Sequence, residues 1–439
     1  MIAQSSIYGS ILNRNRPQEI PNAVIRINGT CNNRPDYFMM DESMLSKHMM
    51  LIGGTGCGKT NTFFHLVNQI KRNMSQDDVM IIFDTKGDYY NEFFSAGKDC
   101  VISSNGNFQG KTVWNVFREI LSDGENPIDI EGNVSEITWS LFAEAIEKNS
   151  SNPFFPNAAR DLLSSILTCI IRFADGDKTI IDEKLNNEFL RQKLNKMTAG
   201  KIRELLEDYD DQVSVMDYIG DGQNPQGLGV LAEMQSIVRK IFVGSFAQKG
   251  DFSVKKFVRE KGGKALFIEY DLSRGATLTP IYRLLIDLAL KEAMGRKCEG
   301  NVYVICDEFK LLPQLQHLED AVNFGRSLGV KIFAGLQSVD QLRENYGEAK
   351  ASNLIAGFSS VLSFKANDEN TRKFTSGLYG KNYVLDQYQT IGNKYEEKER
   401  MGNVVEDWEI SMLQVGEAIV GLPNSQPYKF RFDIYEGKK

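Results

Sequence analysis

The chain has 439 residues, of which 42% are hydrophobic and 25% charged, and a formal net charge of −7. Soluble domains run roughly 100–200 residues, so the length predicts two or three domains, and the composition predicts an ordinary packed core rather than a disordered chain. The acidic balance excludes a surface that coats nucleic acid as a whole, while leaving room for a local basic channel.

The first predicted strand is "NAVIRIN", residues 22–28, which alternates apolar and polar positions. "HMMLIG" from His48 is a continuous apolar run that enters a glycine-rich loop. After Lys59 the period changes: Phe63, Leu66, Val67 and Ile70 fall at helical spacing, so a helix follows the loop. "VMIIFD", ending at Asp84, is again continuous and apolar, as expected of a parallel strand covered on both faces. "GKALFIEYDLS" (263–273), "NVYVICDEF" (301–309), "GVKIFAGLQS" (329–338) and "FSSVLSFKA" repeat that form. Helical stretches separate them, including "TPIYRLLIDLALKEAMGR" (279–296) with a proline near its start. This alternation predicts an α/β fold with a doubly wound, mainly parallel sheet.

The middle of the chain differs. "VSEITWSLFAEAIEKN", "PNAARDLLSSILTCIIRF", "AGKIRELLEDY" and "GVLAEMQSIVRKIF" all read as helices, and strand-like runs are scarce. More than roughly 100 residues is long for a crossover connection, so an inserted all-α domain is expected. The division is 1–133 and 250–439 for the two parts of the α/β domain and 134–249 for the insert. Within that block Lys184, Arg191 and Lys193 are interspersed with Glu183 and Glu188, the pattern of a solvated face.

The loop "GGTGCGKTN" carries the first chemistry. Gly53, Gly58, Lys59 and Thr60 fit G-x-x-x-x-G-K-[ST], between an apolar strand and an amphipathic helix. Glycines let successive backbone N–H groups point at phosphate oxygens, and the helix aims its positive end at the same place. Lys59 reaches the β- and γ-phosphates and the Thr60 hydroxyl suits magnesium. The nucleotide-binding set is therefore Gly53, Gly54, Thr55, Gly56, Cys57, Gly58, Lys59, Thr60 and Asn61. The nearest thing to a guanine-reading N-K-x-D is "NKYE" at Asn393, off-pattern and in a charged, loop-like context, so ATP is expected.

"NVYVICDEF" places Asp307 and Glu308 at the end of a buried strand. An aspartate there can hold magnesium, and the adjacent glutamate can orient and polarise an attacking water. The competing reading is two acids at the start of the next helix. Asp84, at another strand end, either lines the same crevice or caps a following helix. Gln337 ends the "GVKIFAGLQS" strand and either senses nucleotide or caps the next helix. Arg326 is either an arginine finger for a neighbouring subunit or a surface cation near a helix C-terminus.

"GGTGCGKT", "FDTKGDYY", "CDEFKLLP", "NFGRSLGVKIFAGLQSVDQLRENYG" and "RMGNVVEDWEISMLQVGEAIV" together resemble the ATPase part of conjugative type IV secretion coupling proteins, the TraG/TraD-like group, among the FtsK/HerA-like ring motors. The resemblance spans most of residues 45–435, with a helical insert in the family's place. It implies a RecA-like P-loop ATPase that uses ATP and Mg2+, assembles as a hexameric ring when active, is a monomer in isolation, and moves DNA through a central channel. It implies that Thr60 and Asp307 hold the metal, that Glu308 is catalytic, that Gln337 is the sensing glutamine and that Arg326 acts in trans. It also implies partners: DNA, single-stranded by expectation, relaxase-type proteins and membrane components of a type IV secretion channel. Motors for protein cargo and nucleotide-regulated docking platforms are the alternatives. Cys57 stands where the family usually has serine, and its side chain is expected to pack.

Six cysteines (Cys31, Cys57, Cys100, Cys169, Cys298, Cys306) form no C-x-x-C, and His48, His65 and His317 lie far apart, which argues against zinc and for a reduced, cytosolic protein. Residues 1–20 do not form a signal peptide. No run of roughly 18 apolar residues occurs, so the membrane helices usual in the family are not within this sequence, which is expected to be either a soluble fragment or a naturally soluble relative that needs a separate membrane partner. A cytoplasmic location is expected, with any attachment to the inner face of the membrane made through a partner.

Overall fold

The computed structural model describes residues 3–13, 15–16, 19–295, 299–390 and 394–437. Cys298 and Asn393, noted in the sequence, lie outside the described residues. The strands in chain order are β1 (Ala3–Gly9), β2 (Ile25–Cys31), β3 (Arg34–Met40), β4 (Met49–Ile52), β5 (Val79–Asp84), β6 (Cys100–Ser103), β7 (Lys111–Thr112), β8 (Lys264–Glu269), β9 (Val302–Cys306), β10 (Val330–Leu336), β11 (Ser360–Phe364), β12 (Lys381–Thr390), β13 (Lys394–Asn403), β14 (Glu417–Gly421) and β15 (Tyr428–Phe432).

Twelve of them form one sheet in the order β3-β2-β15-β14-β11-β4-β10-β9-β5-β8-β6-β7. From β11 to β7 all neighbours are parallel, and the other edge, β14, β15, β2 and β3, is antiparallel. The parallel strands are buried on both faces, which is why each reads as an unbroken apolar run. Met50, Ile52, Ile81, Phe83, Ile268, Val304 and Ile332 belong to the cluster shared with the helices of the chain's middle. Their alternates Met49, Leu51, Met80, Ile82, Phe267 and Ile305 pack with Phe63, Leu66, Val67 and Ile70 of the helix Lys59–Asn73. The two sets follow the period of 2 that a pleated strand imposes. β10 pairs with both β4 and β9, so the strand ending before Gln337 lies between the glycine loop and Asp307.

Two parts of the sheet system depart from the sequence expectation. The antiparallel edge extends the doubly wound sheet, and β1, β12 and β13 form a separate antiparallel sheet. The predicted helix 279–296 begins a turn earlier, at Gly275, so Pro280 lies inside it rather than near its start; at that depth proline leaves one early carbonyl without its intrahelical partner.

Between β7 and β8 the described elements are all helical, from Val116–Ile120 to Val254–Glu260, with Pro127–Lys148, Phe154–Ala174 and Pro225–Ile241 the longest. The chain leaves and rejoins the sheet at one fastened point. Buried Glu119 accepts from Trp114 Nε1 (3.0 Å), Ser253 Oγ (2.9 Å) and the amides of Val254 and Lys255. Lys255 pairs with Asp123, and Arg259 bridges Asp123 and Glu292. Lys184, Arg191 and Lys193 are exposed on the outer helices. Among the described residues no helix is long and apolar enough to cross a membrane.

Candidate active site

The glycine loop runs from β4 into the helix Lys59–Asn73. Its start is clamped between the neighbouring strands: Gly53 N–H donates to Leu336 O (3.0 Å) and Gly54 N–H to Lys365 O (2.8 Å). Gly58 has φ 110°, and a Cβ there would stand 2.9 Å from Gly416 Cα, so a side chain is excluded by both conformation and space. Gly416 N–H in turn donates to Cys57 O (2.9 Å). The Cys57 side chain is buried in the apolar cluster, and burial raises its thiol pKa. The first amides of the helix, through Asn61, precede the first i→i−4 bond, from Thr62 to Gly58 O (3.2 Å), and an anion is favoured at that end. Gly56 has φ 74°. Lys59 is buried, and its Nζ donates to Gly53 O (2.5 Å) and Gly54 O (3.1 Å).

Thr60 Oγ1 donates to Asp307 Oδ2 (2.6 Å), joining the loop helix to the end of β9. The hydroxyl and carboxylate are hard oxygen donors of the kind Mg2+ prefers. Burial pushes the Asp307 carboxyl pKa up, against the opposing pull of the Thr60 bond and the Lys59 charge. Tyr89 OH donates to the same Oδ2 (3.1 Å). Gly335 on β10 makes room for this aspartate: a Cβ there would come 2.1 Å from Asp307 O and 2.9 Å from Oδ1.

Glu308 does not cap the short turn that follows; its two oxygens accept from Gln337 Nε2 at 3.2 and 3.0 Å. Gln337 Oε1 accepts from Thr55 Oγ1 (3.3 Å). The next helix is capped by Ser338 instead, whose side chain accepts from Asp340 N–H. The glutamine is therefore a bridge between the loop and Glu308.

Asp84 is not the N-cap of the following helix, a place taken by Gly87. The Asp84 oxygens accept from the amides of Lys86 (3.2 Å) and Tyr90 (2.8 Å), fixing the turn into the helix Asp88–Phe93. Glu269, opposite Asp84 on β8, is buried beside it; burial, then the Asp84 charge, pushes its pKa up to about 9.

Two predicted site residues stand elsewhere. The Asn61 side chain is committed to the C-terminal segment, donating to Asp433 O (2.9 Å) and accepting from Tyr435 N–H (2.8 Å), which leaves its backbone for the loop. Arg326 is exposed in the turn Gly325–Leu328, before the N-terminal end of β10. The length of β10, roughly 20 Å at the usual rise, separates it from Gln337 and the loop, so it is not in its own chain's site. Sequence reasoning missed Tyr89, Gly335 and the Asp433–Tyr435 contact. Tyr89 lies in the quoted "FDTKGDYY", but only the fold brings its phenol to β9.

The family model described as the Type IV secretion-system coupling protein DNA-binding domain matches residues 39–433. Coupling protein TraD of Escherichia coli (strain K12) is 22% identical over 353 residues, 76% of this chain and 44% of TraD. Conjugal transfer protein TraG of Agrobacterium fabrum (strain C58 / ATCC 33970) is 31% identical over 272 residues, 58% of this chain and 40% of that protein. The chain spans about half the length of the curated relatives it matches, or less. Among solved structures, plasmid coupling protein TrwB in complex with ADP and Mg2+ aligns with TM-score 0.71 at 22% identity, covering 91% of this chain and 88% of that one. The trigonal form of TrwBdeltaN70 with sulphate gives 0.74 at 20% identity, with 99% and 95% coverage. The fold is thus that of these P-loop proteins, and the chain belongs to the Type IV secretion-system coupling protein DNA-binding domain family.

Proposed function

We propose that this chain is the ATP-hydrolysing motor of a conjugative coupling protein, which moves DNA, single-stranded by expectation, toward a type IV secretion channel. The observation that carries the reading is the convergence of Lys59 and Thr60, Asp307 and Glu308, and the Gln337 bridge at the C-terminal ends of β4, β9 and β10 in the middle of the sheet. TrwB has been solved with ADP and Mg2+, and with a non-hydrolysable ATP analogue, which supports ATP and Mg2+ as this chain's cofactors. Thr60 and Asp307 would hold the metal, which supplies charge neutralisation on the phosphates.

The chain's own residues do the rest. Loop amides and the Lys59 ammonium grip the phosphates. Glu308 orients an attacking water and takes its proton. Gln337, bonded to Thr55 and to Glu308, couples the state of the loop to the state of the base. Arg326, remote from its own loop and exposed, is suited to reach a neighbouring subunit's nucleotide, which favours a ring, a homo-hexamer by the family resemblance. The helical block, residues 134–249, serves as an inserted unit on that ring, and relaxase-type proteins and channel components at the inner face of the membrane are the proposed partners.

The test is ATP turnover measured against protein concentration, with and without single-stranded or duplex DNA. Turnover that rises more steeply than concentration and is stimulated by DNA is expected. Turnover per chain that ignores both concentration and DNA contradicts the reading.

A further inference from the structure

We infer that Tyr89 is a positioning residue for the metal-holding carboxylate, fixing Asp307 at the same oxygen that Thr60 of the phosphate-loop helix holds. The inference rests on the ATPase reading above and adds a residue to it. Three observations carry it.

First, the phenol is buried, and among the described residues the hydrogen bond recorded for it goes to Asp307 Oδ2, the same oxygen that accepts from Thr60. A buried hydroxyl that lost its partner would be unfavourable, so the bond holds both groups in place. Oδ1, held close by the glycine at Gly335, is the other oxygen of the same carboxylate. Two donors on one oxygen therefore set the rotation of the whole group.

Second, the ring cannot swing freely. It meets Phe64 edge-on, with centroids 5.0 Å apart, and Phe64 lies one turn beyond Thr60 on the loop helix. Phe93 packs on it at 6.3 Å. The Thr60 and Tyr89 donors are thus held relative to each other by packing.

Third, the segment that carries Tyr89 is anchored. Asp84 accepts from the amides of Lys86 and Tyr90 on either side of it, and Glu269 backs Asp84. Gly87, at φ 72°, supplies the left-handed turn that brings the chain round. The exposed Lys86 adds a positive charge that acts on Asp307. The loop "DTKGDYY" so works as a bracket for the carboxylate at the end of β9. Outer partners of metal ligands typically change metal affinity or activity about 10–100-fold when removed.

The experiment titrates Mg2+ into the full chain with a fluorescent ADP analogue, read as nucleotide affinity, for wild type, Tyr89→Phe and Phe93→Leu. Tyr89→Phe is expected to bind the analogue without Mg2+ within about twofold of wild type, and to raise the half-saturating Mg2+ concentration about tenfold. Phe93→Leu, which loosens the same aromatic cluster and keeps the phenol, is expected to move the Mg2+ half-point less than Tyr89→Phe does. An unchanged half-point in Tyr89→Phe overturns the inference, and so does an equal shift in both variants, because that effect would come from packing. Wild type showing no nucleotide binding, or none that depends on Mg2+, overturns the ATPase reading itself.

Discussion

Lys59 is a buried cation whose ammonium is oriented by two carbonyls of its own loop. Charged hydrogen bonds contribute about 1.5–3 kcal/mol each, so Lys59→Ala is expected to weaken ATP binding about 10–100-fold in a direct binding titration. Gln337 acts differently. It touches Glu308 and Thr55 and does not cap the following helix. Gln337→Ala should leave ATP affinity near wild type and lower the single-turnover rate about 10²-fold, the scale of one positioned proton-transfer partner. Equal loss of affinity and rate would return Gln337 to a purely structural part.

The strand ends that carry these residues depend on close approach between elements. At Gly335 a methyl group would meet Asp307 O at 2.1 Å, so β10 or β9 would have to shift. Gly335→Ala should lose about 1–3 kcal/mol of stability by overpacking, seen as a lower denaturant midpoint, together with weaker Mg2+-dependent binding. The Asp84–Glu269 pair sets a pH dependence. Glu269 is raised from 4.5 to about 9, so the folded chain holds a proton that the unfolded chain releases. Its contribution is fully present below the unfolded value and is lost as pH rises toward 9. Thermal melts of Glu269→Gln should therefore decline less than wild type between about pH 6 and 9. Such elements differ in how far the sequence reveals them. β4, β5, β9 and β10 were legible because strands buried on both faces are unbroken apolar runs, and Lys59, Thr60, Asp307 and Glu308 follow them directly. β1 and β12 pair across most of the chain, Ser5 with Leu385, and β13 is rich in charge, so no local pattern announces that sheet. Tyr89 and Gly335 were hidden for the same reason: their partners are set by neighbouring strands, not by neighbours in sequence.

At the scale of the whole molecule, a single chain holds the phosphate loop, the carboxylates and the glutamine at the C-terminal ends of the central strands, while Arg326 stands at the far end of β10. If the arginine serves a neighbour, Arg326→Ala binds ATP normally and loses roughly 10³-fold or more in DNA-stimulated turnover. Mixing it with Lys59→Ala should restore part of that activity, since each supplies what the other lacks. Mixtures no more active than the separate variants would place the arginine outside catalysis. Binding by Lys59 and Thr60 and water activation by Glu308 remain the centre of the account, and Glu308→Gln separates them. Measured beside wild type, with ATP affinity and steady-state turnover on the same preparation, Glu308→Gln is predicted to keep ATP affinity within about threefold and to lose turnover about 10²–10⁴-fold. Turnover equal to wild type in Glu308→Gln would contradict the account.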